Sequence, residues 1–349
     1  MSICVFDHPF LSGLFKDEAV DKLFSASFDV EEMIRFETAL ARAQAELGLI
    51  PEAAALAIAE AGSSFQADMA KLNQATARDG VVIPELVKQL RAHVGETHNQ
   101  YVHFGATSQD VIDTSLMLRL KLFRQLSQEK LVQLLHKLEV LDQAHGKNGL
   151  TAYTRMQAAL PATVHDRITS WVEPLKRAQI RLENLHFPLQ LGGAVGTLHD
   201  FGDQAAALRA KLSLMLALDD LPQWQSARDI INDIAHVFVT LSGSLGKMGQ
   251  DIALMAQGAS EIALSGGGAS SAMPHKQNPV NAEILVSLAR FNAVQISAMQ
   301  QSMIHEQERS GAAWSLEWMV LPQICASLAA ALNISIRLTD QIQSLGKDH

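Results

Sequence analysis

The feature that most constrains the fold is a heptad pattern of apolar residues between Asp229 and Leu264. Apolar side chains recur there in alternating steps of four and three residues, at Ile234, Phe238, Leu241, Leu245, Met248, Ile252 and Met255. This spacing places one apolar stripe along a long α-helix, and other long helices must cover that stripe. The pattern therefore predicts a bundle of long helices.

Three glycines, Gly243, Gly246 and Gly249, lie inside this helix. Each costs up to about 1 kcal/mol relative to alanine in a helix interior. We expect them to allow a close helix contact across a subunit interface. A local break in the helix is the alternative.

The rest of the chain also favours an all-α fold. Aromatic residues make up only 5% of the sequence, and the alternating β-branched runs typical of strands are hard to find. Helices are predicted at 30–47, after Pro84, and at 108–145, 162–187, 200–218, 280–309 and 314–345, with 1–28 and 95–105 irregular. We predict a smaller N-terminal helical domain at 1–107, a central long-helix bundle at 108–345 and a tail at 346–349.

The segment 265–283 combines a glycine-rich half with a stiff half. Three consecutive glycines and two serines, Ser270 and Ser271, are typical of a mobile lid. Asn278 is a favourable N-cap and Pro279 suits the first position of the next helix, so the loop 265–279 is expected to end on exposed N–H donors. With Lys276 beside them, these donors predict an anion site. The alternative is a glycine-rich linker between two helices.

A second helix start has the same character. Thr107 and Asp110 form the T-x-x-D capping pattern at the start of the helix predicted at 108–145. Most such caps are purely structural, but His103 lies just upstream. The pair therefore predicts a second anion site, with an ordinary structural cap as the alternative.

The overall charge and the cysteines exclude several functions. A formal net charge of −9 argues against nucleic acid or an anionic membrane surface as a partner. Cys4 and Cys325 provide no disulfide framework, and the N-terminus does not resemble a secretion signal, so we expect a cytoplasmic protein. No apolar run is expected to approach the roughly 18 uncharged residues needed to span a bilayer.

Metal and cofactor motifs are also absent from the sequence. The chain has 13 histidines but no H-E-x-x-H, and His93, His98 and His103 have no partner pattern of carboxylates. It has no G-x-S-x-G motif, and the glycines at 192–196 lack the strand that a dinucleotide fingerprint requires. We therefore expect no metal and no cofactor.

The remaining chemistry is that of a site for small polycarboxylates. Several anion-holding groups beside a lid that carries serines would suit a substrate with two or more carboxylates that reacts through a carbanion. Such an intermediate needs dense hydrogen-bond donors and exclusion of water.

Several segments resemble the fumarase/aspartase superfamily. G-A-S-S-A-M-P-H-K-Q-N-P at 268–279 is similar to its signature loop, with Ala269 where the family usually has glycine. H-F-G-A-T-S-Q-D at 103–110 is similar to its T-S-x-D region, and the resemblance extends over about 30–340. Together with 79–90 and 317–322, these segments look most like the muconate-lactonizing branch. The resemblance implies a long-helix bundle whose usual C-terminal domain is absent or reduced here, and a homotetramer whose active sites are shared between subunits.

The resemblance also implies roles for individual residues. Ser270 matches the family's catalytic serine, and His103 matches an active-site histidine of one lyase branch. Candidate substrate-binding residues implied in the same way are Thr107, Ser108, Gln157, Arg228, Ser271, Met273, Lys276 and Asn278. Glu283 matches the glutamate that supports a catalytic histidine in the lyases.

That lyase histidine is missing. Alignment of Gln157 and Pro161 on the family's Q-x-A-x-P places Arg155 at its position. Elimination needs both a base and an acid, whereas lactonization uses the substrate's own carboxylate as the nucleophile and needs one proton donor. The resemblance therefore implies lactonization of 3-carboxy-cis,cis-muconate in aromatic catabolism, with Arg155 as a candidate partner for the third anionic group. The alternatives are a 3-sulfomuconate cycloisomerase, a fumarate-releasing lyase and a catalytically silent scaffold.

Overall fold

The computed structural model describes residues 4–258, 260–268, 273 and 277–347. Within these residues the fold is almost entirely helical, as the heptad pattern predicts. The α-helices are α1 Ser12–Phe15, α2 Glu18–Leu23, α3 Ala26–Glu46, α4 Glu52–Ser64, α5 Met69–Asp79, α6 Ile83–Val94, α7 Ser108–His145, α8 Val164–Glu183, α9 Ala205–Leu216, α10 Asp229–Gly258, α11 Val280–Gln301 and α12 Ala312–Gln341. Short 3₁₀ turns lie at Asn99–Tyr101 and His199–Gln204.

The sequence did not predict two small antiparallel hairpins. Strands β1 (Gly149–Thr154) and β2 (Gln157–Thr163) follow α7, while β3 (Ile262–Leu264) pairs with β4 (Ile342–Leu345). Strands β1 and β2 have 6 and 7 residues but are largely exposed or half-buried, and β3 and β4 have only 3 and 4. None of them therefore shows a recognisable alternation of apolar and polar residues. The helices predicted at 162–187 and 314–345 are therefore shorter than expected, because residues 162–163 belong to β2 and residues 342–345 to β4.

The N-terminal prediction was wrong in one respect. Residues 1–28 were expected to be irregular, but α1, α2 and the start of α3 lie there. The Asp17 side chain caps α2 by accepting from the N–H groups of Ala19 and Val20, and the Ser25 side chain caps α3. Side-chain caps therefore start helices where the apolar periodicity is too short to reveal them.

The heptad stripe of α10 forms the centre of the core. All seven of its apolar side chains are buried, and α10 packs against α8, α11 and α12. The Phe238 ring meets Phe123 of α7 edge to face, with 5.0 Å between ring centroids. The core is therefore continuous from α7 through α10 to α12.

Helix α12 corrects the expectation about apolar runs. Residues 318–336 carry no charged side chain. By length and composition alone α12 could cross a membrane, because its most apolar window of 18 residues has a mean hydropathy of 1.7. However, 67% of that apolar window is buried inside the chain. The uncharged run is that of a core helix surrounded by other helices of the same bundle.

The glycines of α10 have different surroundings. A Cβ on Gly246 would lie 2.3 Å from the Cβ of Ala289, and one on Gly249 would lie 2.8 Å from the carbonyl oxygen of Ala282. Both neighbours belong to α11 of the same chain. For these two glycines, the close contact expected between subunits therefore lies within the subunit. Gly243 is exposed and has open space at its Cβ position.

Alanine substitutions should separate these two environments. Gly249→Ala should lower the free energy of unfolding by about 1–3 kcal/mol, because the methyl group must push α11 away. The matched control on the same helix, Gly243→Ala, should raise it by up to about 1 kcal/mol through helix propensity. Urea unfolding followed by circular dichroism measures both, and equal effects would contradict the α10–α11 contact.

Candidate active site

The N-terminus of α7 is built as the capping pattern predicts. Thr107 is the N-cap, and the Asp110 carboxylate accepts from the Thr107 N–H at 3.0 Å. Ser108 is the first helical residue and is half-buried. Thr107 and Ser108 therefore lie together where the positive end of a long helix dipole meets the surface.

Asp110 joins this helix start to a separate loop. Its Oδ1 accepts from the side-chain amide of Gln190 and the N–H of Gly192, and its Oδ2 accepts from the N–H groups of Gly193 and Thr107. Burial raises the pKa of Asp110 to about 6, and the four donors act in the opposite direction. Because the folded pKa lies above the unfolded value, the associated stabilisation is present at low pH and is lost as the pH rises through about 6. At neutral pH the ionised Asp110 carboxylate holds the loop at Gly192 and Gly193 against α7.

His103 lies beside this helix start and pairs with Glu37 of α3. The Nδ1 atom of His103 is 2.6 Å from Oε1 of Glu37, whose side chain is only 1% exposed. Burial would lower the pKa of His103, but the charge and hydrogen bond of Glu37 outweigh it, so the pKa lies above its usual value. The structure therefore brings His103, Thr107 and Ser108 together.

Sequence reasoning missed Arg309, an exposed arginine in the loop between α11 and α12. Its Nε donates to Oε1 of Gln109, and its Nη2 donates to the Thr107 hydroxyl at 3.0 Å and to the Ala194 carbonyl at 3.3 Å. No periodicity or capping pattern marks Arg309 in the sequence. Its guanidinium adds a positive charge to the start of α7.

Arg228 lies deeper, inside the core. Its guanidinium is completely buried and pairs with Asp113 of α7 and Glu317 of α12 at 2.6 Å each. Burial alone would lower the pKa of Arg228, but the two carboxylates raise it above its usual value. The Arg228 guanidinium also lies 4.9 Å from the centre of the Trp224 ring. Within the chain, Arg228 is thus committed to two carboxylates and is sealed from solvent.

Arg155 and Gln157 lie at the exposed tip of the β1–β2 hairpin. Thr154 pairs with Gln157, so Arg155 and Met156 are the two turn residues, with φ angles of 47° and 67°. Residues other than glycine and asparagine are strained at such positive φ angles. The hairpin nevertheless presents Arg155 outward.

The described part of the lid loop corrects one prediction. Helix α11 begins at Val280 with Pro279 as its N-cap, and no side chain caps it. Asn278 was predicted as the N-cap, but its side chain instead donates to the carbonyl of Gly268, as does its N–H. Gly268 lies so close that a Cβ there would be 2.2 Å from the Asn278 carbonyl oxygen. Asn278 therefore closes the base of the loop.

Other lid candidates can be placed only in part. Ser270, Ser271 and Lys276 lie outside the described residues. Met273 is 42% exposed, and Glu283 lies in the first turn of α11.

The two groups of candidates lie at opposite ends of the bundle. Helix α7 has 38 residues, which corresponds to a length of about 57 Å. Thr107 stands at its start, and the β1–β2 hairpin follows its end. The base of the lid belongs to the hairpin end, because Gly149 of β1 pairs with Lys347 just beyond β4, and the Glu261 carboxylate beside β3 accepts from the Thr151 N–H. Within one chain, the two groups of candidate residues therefore lie far apart.

Among the described residues, no group of three or more histidine, cysteine or acidic side chains could hold a metal ion. Cys325 is fully buried, and burial raises the pKa of its thiol.

Comparison with known proteins identifies relatives over nearly the whole chain. The sequence model of a lyase family matches residues 16–294. The chain is 36% identical to the 3-carboxy-cis,cis-muconate cycloisomerase of Pseudomonas aeruginosa over 92% of this chain and 72% of that protein. The crystal structure of the 3-carboxy-cis,cis-muconate lactonizing enzyme from Pseudomonas putida superposes with a TM-score of 0.90 at 33% identity, covering 97% of this chain and 77% of that one. A fumarate lyase from Mesorhizobium sp. BNC1 superposes with a TM-score of 0.88 at 32% identity, covering 95% and 76%.

Replacement of Asp110 should test the junction that builds this site. Asp110→Asn places an amide NH₂ against two N–H donors and should lower the free energy of unfolding at pH 7 by about 2–4 kcal/mol. The matched control is Asp166→Asn, because Asp166 occupies the same capping position at Thr163, at the exposed start of α8. Loss of that exposed cap should cost about 1 kcal/mol or less. Equal losses in urea unfolding would show that Asp110 is an ordinary cap.

Proposed function

Because the chain belongs to the lyase family of the fumarase/aspartase superfamily, we propose that it catalyses the lactonization of 3-carboxy-cis,cis-muconate to 4-carboxymuconolactone. It is an enzyme for an isomerisation or lyase-type reaction, and the proposal selects one reaction within that class. The feature that carries the selection is Arg155, which the sequence resemblance places where the lyases have histidine. The names of the relatives at about 35% identity agree with this selection.

The proposed reaction needs only one proton donor. A carboxylate oxygen of the substrate forms the new C–O bond, and the π electrons of the attacked double bond move to the neighbouring carbon. That carbon takes the proton of the Ser270 hydroxyl, which then recovers a proton from solvent. Lys276 and the N-terminus of α7 would stabilise the carboxylate that carries the developing negative charge.

We further propose that the enzyme is a homotetramer with sites shared between subunits. Arg155 and Thr107 lie at opposite ends of α7, so one chain cannot bring them to the same substrate. Large apolar side chains are also exposed on the bundle helices at Val132, Val140, Ile180, Leu254, Val294 and Met319. Contact between bundles would cover such side chains and could bring the hairpin end of one chain to the α7 start of another.

A fumarate-releasing lyase is the second candidate. The similarity to the Mesorhizobium fumarate lyase favours it. It would require a second acid or base in place of the missing histidine. Product analysis separates the two reactions.

The reaction is tested by the loss of muconate ultraviolet absorbance. Purified protein should consume 3-carboxy-cis,cis-muconate, and Ser270→Ala should lower kcat by about 10²–10⁴-fold, because the carbanion loses its proton donor. Ser287→Ala, on the exposed surface of α11, is the matched serine control and should retain wild-type activity. Fumarate release from argininosuccinate or adenylosuccinate without turnover of any muconate would contradict the assignment.

The role of Arg155 is tested by substrate charge. Arg155→Met should raise KM for 3-carboxy-cis,cis-muconate by about 10–100-fold, the effect of losing one charge-assisted hydrogen bond. It should change KM for cis,cis-muconate, which lacks the third carboxylate, far less. Arg155→Lys should restore part of the loss. An unchanged KM for the tri-anionic substrate would show that Arg155 does not bind the third carboxylate.

A further inference from the structure

We propose that Glu37 is the positioning residue for His103, fixing the orientation and charge of the imidazole so that its Nε2–H acts as a donor to a substrate carboxylate at the start of α7. This inference rests on the proposed function, because it assigns one contact of that polycarboxylate site. The Glu37 carboxylate itself would touch no substrate.

The contact between the two side chains is short and sheltered. Oε1 of Glu37 lies 2.6 Å from Nδ1 of His103, and the side chains are 1% and 15% exposed. Hydrogen bonds between charged partners, about 2.7–2.9 Å from nitrogen to oxygen, are shorter and roughly twice as strong as neutral ones. The Glu37–His103 contact is shorter still. A carboxylate that holds Nδ1 also fixes which way the ring faces, as it does for histidines that bind metals.

The loop around His103 is held at three consecutive residues. Gln44, two turns after Glu37 on α3, donates from its amide to the Phe104 carbonyl at 2.7 Å. Arg91 of α6 donates to the Val102 carbonyl at 3.0 Å. The contacts from Glu37, Gln44 and Arg91 together form a cradle around His103, so its position does not depend on one flexible side chain.

This cradle holds His103 in a strained conformation. Its φ angle is 63°, in the left-handed region that residues with a side chain seldom adopt. Two residues later, Gly105 also has a positive φ, and a Cβ there would lie 2.2 Å from the ring of Phe201. Strain of this kind persists where the surroundings over-determine it, and it concentrates at functional sites.

The opposite edge of the ring is available for a ligand. Within the part of the chain that the structure describes, no hydrogen bond reaches Nε2 of His103. Three charged groups from packed elements act on the ring: Glu37 from α3, Asp110 from α7 and Arg91 from α6. The two acids raise the pKa of His103 and Arg91 lowers it, with Glu37 exerting the largest of these three effects. Nε2 is therefore placed to donate to a ligand beside Thr107 and Ser108.

The first experiment measures the ring directly. NMR titration of the His103 imidazole should give a pKa at least 1 unit lower in Glu37→Gln than in wild type, because the variant removes an opposite charge in direct contact. The matched control is Glu32→Gln, since Glu32 is a buried acid on the same helix that pairs with Arg35 instead. An unchanged His103 titration in Glu37→Gln overturns the proposal whatever reaction the enzyme catalyses.

The second experiment measures the consequence for the substrate. With 3-carboxy-cis,cis-muconate, the alkaline limb of kcat/KM against pH should move to lower pH in Glu37→Gln, with KM at pH 8 raised about 10-fold and kcat close to wild type. In His103→Gln that limb should disappear, and adding Glu37→Gln to it should cause no further loss. If Glu37 had only a structural role, Glu37→Gln would lower stability without moving the alkaline limb of kcat/KM against pH. That result would overturn the proposal.

A third measurement separates this proposal from the proposed reaction. If no muconate is turned over, the reaction is wrong, and calorimetric binding of tricarballylate at pH 6 and pH 8 replaces the kinetics. If binding weakens between these pH values more steeply in Glu37→Gln than in wild type, the result supports Glu37 as the positioning residue for His103. Equal pH dependence in the two proteins overturns it.

Discussion

The buried guanidinium of Arg228 is the interaction on which the bundle depends. It lies just before α10 and bonds Asp113 of α7 and Glu317 of α12, so one side chain fixes three core helices relative to each other. Glu317 also lies 3.5 Å from Nε2 of the buried His305, beyond an ordinary hydrogen bond. Burial would raise the pKa of Glu317, but its contacts with His305 and Arg228 lower it. Breaking such a buried pair strands a charge and typically costs about 3–5 kcal/mol.

This fixed core explains how the candidate site is positioned. Asp113 lies one turn after Gln109 on α7, and Gln109 donates to the Asp113 carboxylate and accepts from Arg309. A continuous set of polar contacts therefore runs from the ion cluster to the surface at Thr107. On the other side of Thr107, Asp110 holds the loop at Gly192 and Gly193 in place. The polar groups at the start of α7 are thus held in place by buried polar contacts and do not depend on flexible loops alone.

The sequence allowed prediction of long-range periodic features and of local caps, but not of contacts between distant segments. The heptad stripe of α10 and the start of α7 at Ser108 were predicted correctly, because each depends on residues within a few turns. The Glu37–His103 contact joins residues 66 positions apart, and no periodicity links them. Arg228 was singled out by family resemblance, but its buried carboxylate partners could be recognised only from the packing. The hairpins were missed because β1 and β2 are largely exposed or half-buried and β3 and β4 are very short, so no alternation of apolar and polar residues marks them.

We propose that the start of α7, with His103 and Thr107, forms a carboxylate site completed by the hairpin of another subunit. A crystal structure with tricarballylate bound tests this most directly. We expect one carboxylate within hydrogen-bond distance of Nε2 of His103 and of the first N–H groups of α7, with Arg155 of a second copy beside the same molecule. A tricarballylate bound away from α7, or an α7 start left empty at saturating ligand, would contradict it.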